Sequence, residues 1–175
     1  EYFRLIYPDG IDETFDAFKQ IAIGVKNNKN KLIFAGNGAS ASISDHGAVD
    51  FTKQGGVRSI TFNEANLITA FSNDYGYENW TAKAIDFYAN NGDVLVLTSV
   101  SGESPNIIKA AERAKEIGLK VVTFSGKSSN NSLRSLGDIN FWVDSDAYNI
   151  VECIHMMWLT TVVDSVIGKS VYEVS

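Results

Sequence analysis

Residues 93–126 read DVLVLTSVSGESPNIIKAAERAKEIGLKVVTFSG. Two apolar runs, DVLVL at 93–97 and KVVTF at 120–124, have the length and β-branched content of buried strands. Between them lies a helix over 104–117 with Pro105 at its first position. Strands separated by such a helix form a βαβ unit, and strands joined by such a crossover run parallel.

Working outward, the same alternation fills the chain. Ile11, Phe15, Phe18, Ile21, Ala22 and Val25 recur at spacings of three and four, the period of an amphipathic helix. KLIFAG (31–36) reads as a short buried strand, followed by the Gly-rich turn GNGAS, a helix over about 41–54 and a strand VRSITF (57–62). Helical stretches over 65–72 and 79–90 precede DVLVLT (93–98). After LKVVTFS (119–125) come a polar loop, GKSSNNS, a last strand INFWV (139–143) and an apolar helix over 147–167. The expectation is an α/β fold: a three-layer αβα sandwich on a five-stranded parallel sheet, one domain over 1–175. Within it, 1–28 is an N-terminal helical segment and 29–175 the α/β core.

Composition narrows the function. With 175 residues, 45% of them hydrophobic, the chain can bury the core of one domain. Its 15 Lys and Arg against 21 Asp and Glu give a formal charge of -6, which repels a phosphate backbone and argues against nucleic acid as partner. A single cysteine, Cys153, leaves no intrachain disulfide and fits a reducing, cytoplasmic setting. No uninterrupted apolar run approaches the ~18 residues of a spanning helix, so no membrane is expected as partner.

In parallel sheets, ligands sit beyond the carboxyl ends of the strands, so the loops at 36–40 and 99–104 are the candidate site. Ser99, Ser101 and Ser104 offer short hydroxyls, Gly102 admits close backbone approach, and the helix that follows presents unpaired N–H groups. That is a cradle for an anion, phosphate above all; the plainer reading is that one serine caps the helix. Gly36, Asn37, Gly38 and Ser40 have the same character. GNGAS lacks the third glycine of a dinucleotide fingerprint and the GK[ST] of a Walker loop.

GNGAS with the following His and Asp in 36–50, LITAFSNDYGYE in 67–78 and the segment 93–126 together resemble the sugar isomerase (SIS) domain. Within it they are most similar to the phosphoheptose isomerase group, which interconverts sedoheptulose 7-phosphate and an aldoheptose phosphate. The resemblance implies a phosphosugar aldose–ketose isomerase, or an SIS domain that kept the phosphate site and acts as regulator or assembly partner. It implies that Ser40, Ser99, Ser101 and Ser104 bind phosphate and that Asn37 and Asp74 hold the sugar. It makes Asp50 the acid/base where the family carries Glu, with His155 as second proton-transfer group and Thr160 where a catalytic His is expected. Glu103 stands where the family loop carries Asn. Asp74 and its neighbours also read simply as a polar turn, and Lys53 and Gln54 as a solvated helix end.

Isomerisation of this kind requires no cofactor. Some phosphoheptose isomerases bind zinc, and the set here would be His46, Asp50, Glu152 and His155, two pairs at helical spacing. The competing reading makes both histidines packing residues, His155 being flanked by Ile154, Met156, Met157 and Trp158. The resemblance further implies homodimers or homotetramers with pockets between subunits and the N-terminal helix at the interface.

Overall fold

Five strands, each fully or partly buried, form one parallel sheet whose order places the two serine- and glycine-bearing loops side by side. The computed structural model describes residues 2–171; Glu1 and 172–175, the ends of the expected domain, lie outside the described residues. In chain order the elements are α1 (Tyr2–Ile6), α2 (Ile11–Asn27), β1 (Leu32–Gly36), α3 (Ala39–Lys53), β2 (Ser59–Thr61), α4 (Ala65–Tyr75) and α5 (Trp80–Tyr88). They continue with β3 (Val94–Ser99), α6 (Pro105–Glu116), β4 (Lys120–Ser125), α7 (Ser132–Leu136), β5 (Ile139–Trp142) and α8 (Tyr148–Ile167). The sheet order is β2-β1-β3-β4-β5, with Gly36 level with Thr98 and Ser99 level with Ser125.

Each strand divides its side chains between two cores, as the two-residue period requires. Leu32, Phe34, Val94 and Val96 face a layer built with α2, α3 and α8; Ile33, Ala35, Leu95 and Leu97 face α5, α6 and α7. This two-sided burial is why the strands read as continuous apolar runs rather than alternating ones. On the first face Phe18 meets Phe51, Phe124 and Phe141, and Phe124 stacks on Phe141 at 4.4 Å. The apolar stripe of α2 is thus spent inside this chain. At the opposite edge of the sheet a buried ion pair joins the starts of β1 and β3: Lys31 Nζ donates to Asp93, whose Oδ1 also accepts from Lys31 N at 2.9 Å.

By length and composition helix α8 is, among the described residues, the one helix long and apolar enough to cross a membrane, although Glu152, His155 and Asp164 interrupt its apolar residues. Here one face of it packs on the core through Val151, Ile154, Trp158, Leu159, Val162 and Val163. His155 belongs to that packed face, and its assignment to the chemistry is corrected on this ground. It is completely buried, set against Phe124 and Trp158, and its Nε2 shares a 3.0 Å hydrogen bond with the Ser125 carbonyl. Nδ1 has no partner among the described residues.

Burial pulls the His155 pKa from 6.5 down to about 4, opposed by the bond to Ser125. The imidazole is therefore neutral in the folded protein but charges near 6.5 once unfolded. Its contribution to stability is complete above pH 6.5 and is lost as pH falls towards 4, because the unfolded chain then binds the extra proton. Urea unfolding at about pH 7.5 and about pH 5 tests this: wild type loses on the order of 2 kcal/mol more than His155→Gln, which keeps a donor for Ser125 but does not titrate.

Candidate phosphate-binding site

The sheet order reverses between β1 and β3: from β1 the chain moves outward to β2, then returns across β1 to β3. Helices leaving the two strands therefore lie on opposite faces, and their starts open a crevice at the carboxyl edge. The loops that enter α3 and α6 are the two that carry the predicted serines.

The loop from Ser99 to Ser104 is held from behind, which leaves its front free. Gly102 sits at φ +66°, and a Cβ there would overlap the Asn131 side chain. Leu133 N donates to Gly102 O at 3.0 Å, so α7 grips the loop by its backbone. Asn131, 1% exposed, caps α7 by accepting from Arg134 N and donates through Nδ2 to Ser128 O at 2.8 Å. The Glu103 carboxylate turns away from the cradle and accepts from Ser132 N and Oγ, both at 2.8 Å. That resolves the electrostatic conflict a carboxylate beside an anion site would create.

On the front of the loop, Ser99 Oγ donates to Ser104 Oγ at 3.2 Å, and Ser101 Oγ accepts from Glu103 N at 3.1 Å. Ser104 is the N-cap residue of α6, yet its side chain makes no capping bond. Among the described residues the N–H groups of Ser101, Ser104 and Asn106 are likewise unpaired, at the positive end of the α6 dipole. The plain capping role therefore does not account for these serines.

The first loop faces it across the crevice. Gly38 adopts φ +57°, ψ -124°, a backbone only glycine takes readily, and a Cβ on Gly36 would lie 2.6 Å from the Ser40 carbonyl carbon. Ser40 is 5% exposed, and its Oγ makes no hydrogen bond among the described residues. Asn37 is joined to Asn106 by a reciprocal amide pair, Nδ2 to Oδ1 at 2.9 Å and back at 3.0 Å, and accepts from Tyr77 Oη at 3.3 Å. Tyr77 thus brings the turn after α4 to this loop. Asp74 lies in the last turn of α4 rather than in a loop; it is exposed and accepts from Asn73 Nδ2 at 2.9 Å.

On α3, His46 and Asp50 meet, Nε2 to Oδ2 at 3.1 Å, with Asp50 the more buried of the two. Gln54 extends this line by one turn, with Nε2 3.4 Å from Asp50 Oδ1, so it is not the solvated helix end expected. Asp50 follows Ser40 by ten residues, a rise of about 15 Å along the helix.

The four-residue zinc set does not form within the chain. Among the described residues no three His, Cys, Asp or Glu side chains converge. His155 is in the core, Glu152 lies beside it on α8, and only His46 and Asp50 stand together. Thr160 spends its hydroxyl on the Met156 and Met157 carbonyls, each at 3.0 Å, and supplies no base. Two residues that shape the site escaped the sequence reading, Asn106 and Asn131. Only Asn106 left a signal, a short amide directly behind the serine loop.

Known proteins match this arrangement over most of its length. The family described as SIS domain matches residues 12–126, from α2 past the end of β4. A phosphoheptose isomerase of Helicobacter pylori is 29% identical over 164 residues, covering 90% of this chain and 85% of that one. One of Fusobacterium nucleatum is 33% identical over 141 residues, covering 78% and 72%. The structure of a phosphoheptose isomerase from Francisella tularensis superposes with a TM-score of 0.85 at 25% identity, covering 92% of this chain and 88% of that one. With its switch-point loops and a matched span running through four of its five strands, the chain belongs to the SIS domain family.

Proposed function

We propose that this protein is a phosphosugar aldose–ketose isomerase of the phosphoheptose type. The observation that carries the reading is the pair of facing loops in which the N–H groups of Gly38, Ser101, Ser104 and Asn106 are left unpaired among the described residues and the serine hydroxyls bond only within the loops. Ser40, Ser99, Ser101 and Ser104 hold the phosphate, and Asn37 and Asp74 the sugar hydroxyls. Asp50 takes a proton from C1 of the ketose, or C2 of the aldose, and returns it to the adjacent former carbonyl carbon of the enediol, and His46 orients the carboxylate and moves a proton between O1 and O2. No cofactor is required for these steps; a zinc ion would find His46 and Asp50 as donors. A chain with one cysteine suits the cytoplasm.

Distance supports a site shared between copies. An extended seven-carbon sugar phosphate spans only about 10 Å from phosphorus to C1, with carbon bonds of about 1.5 Å. Phosphate held at Ser40 therefore leaves the reacting carbons short of Asp50 on the same chain, about 15 Å down α3, and the base comes from a second copy. The surface for a homodimer or homotetramer is the outer side of α8 with α1, where Tyr148, Met157, Phe3 and Tyr7 are exposed. The second reading, a binding module without turnover, is favoured by the burial of His155 and the tied hydroxyl of Thr160.

Three outcomes follow. Gly102→Ala, strained at positive φ and driven into Asn131, weakens inorganic phosphate binding about 10-fold in calorimetry, the equivalent of ~1.4 kcal/mol. In deuterated water the wild type incorporates solvent deuterium at C1 or C2 of sedoheptulose 7-phosphate, and Asp50→Asn does so at least ~100-fold more slowly. Binding without exchange above the variant's level would leave the module. At sedoheptulose 7-phosphate too dilute to saturate Gly102→Ala, reassembled mixtures of Asp50→Asn and Gly102→Ala chains exchange faster than the average of the two variants measured separately; mixtures no faster than that average would refute the shared site.

A further inference from the structure

The amide pair between Asn37 and Asn106 links the two loops that flank the crevice. Asn106 is 1% exposed, at the second position of α6, and its side chain is spent on protein partners. Both its N–H bonds are committed, one to Asn37 Oδ1 at 3.0 Å and one to Thr81 Oγ1 at 3.2 Å, and Thr81 is itself fully buried. Its Oδ1 accepts from Asn37 Nδ2 at 2.9 Å.

The count for Asn37 is informative. A primary amide has two donors and two acceptor positions. Asn106 takes one donor, and Asn106 together with Tyr77 fills both acceptor positions on Oδ1. One N–H remains. An asparagine without such partners turns almost freely about its terminal torsion and offers donor or acceptor alike. Here it is fixed as a donor.

We infer that Asn106 is a positioning residue that locks Asn37 to present a single N–H to a sugar oxygen, so that the pocket selects an acceptor there. This rests on the proposed phosphosugar site. Because the partner amide belongs to α6, whose start also holds the phosphate serines, the sugar donor and the phosphate cradle are set by the same helix. Asn106→Asp keeps the side chain's volume but replaces the two donors by a carboxylate oxygen, which repels Asn37 Oδ1 and turns the amide round.

Two measurements test the assignment. In the free protein, the Asn37 side-chain amide gives a rigid 1H–15N nuclear Overhauser effect that falls to that of a mobile group in Asn106→Ala. An amide already mobile in wild type overturns the proposal whether or not the protein is an isomerase. In calorimetry, Asn106→Ala weakens sedoheptulose 7-phosphate about 10-fold while inorganic phosphate changes less than about 2-fold, and the loss disappears in an Asn37→Ala background. Equal losses for both ligands, or losses additive with Asn37→Ala, assign Asn106 a merely structural role. A rigid amide in a wild type that binds no sugar phosphate would sink the isomerase reading while leaving the lock itself in place.

Discussion

A phosphate gripped without arginine or lysine must be gripped by backbone N–H groups and hydroxyls. Such groups converge only where helices begin, and only if the loop's own hydrogen bonding does not consume them. In the proposed site the requirement is met by support from behind. Asn131, Leu133 and Ser132 take up the back of the serine loop, while Gly36 lets the first loop fold tightly against Ser40. The strand order then does the rest, because reversal between β1 and β3 is what sets the two loops face to face.

The same helix that contributes Ser40 carries Asp50 away from the cradle. A helix leaving the carboxyl edge runs antiparallel to the strands, so every further turn adds about 5.4 Å between the phosphate and a side chain on it. On the proposed reading, the base for a short sugar comes from association of two copies rather than from bending of the helix. The exposed apolar side chains of α1 and α8 provide area for that association. Burial of His155 follows from the same division, since the inner side of α8 belongs to the core and only its outer side faces solvent.

The sheet was legible because both of its faces are covered. Runs such as LIF and VLVL have no polar interruptions, and their spacing left room for helices of the right length. The serine loops were legible because three hydroxyls and a glycine exceed what capping needs. Spacing failed where burial decides. Glu152 and His155 at i, i+3 looked like a ligand pair, but rotation of α8 places the histidine against Phe124. The short helix α7 was hidden in a polar segment, since five residues are too few for a period to show. Asn106 and Asn131 act through partners distant in sequence, at Asn37 and across Gly102, and no local pattern carries that information.

The claim on which the account stands is that a phosphorylated sugar sits against both loops at once. Backbone 1H–15N spectra recorded while sedoheptulose 7-phosphate is added test it directly. The account predicts shifts concentrated at the amides of Gly38, Ser101, Ser104 and Asn106, whose N–H groups the fold leaves unpaired. Saturable shifts elsewhere, for instance around Ile60, Leu67 and Tyr88 in the groove beside β2, with those four amides unmoved, would contradict it.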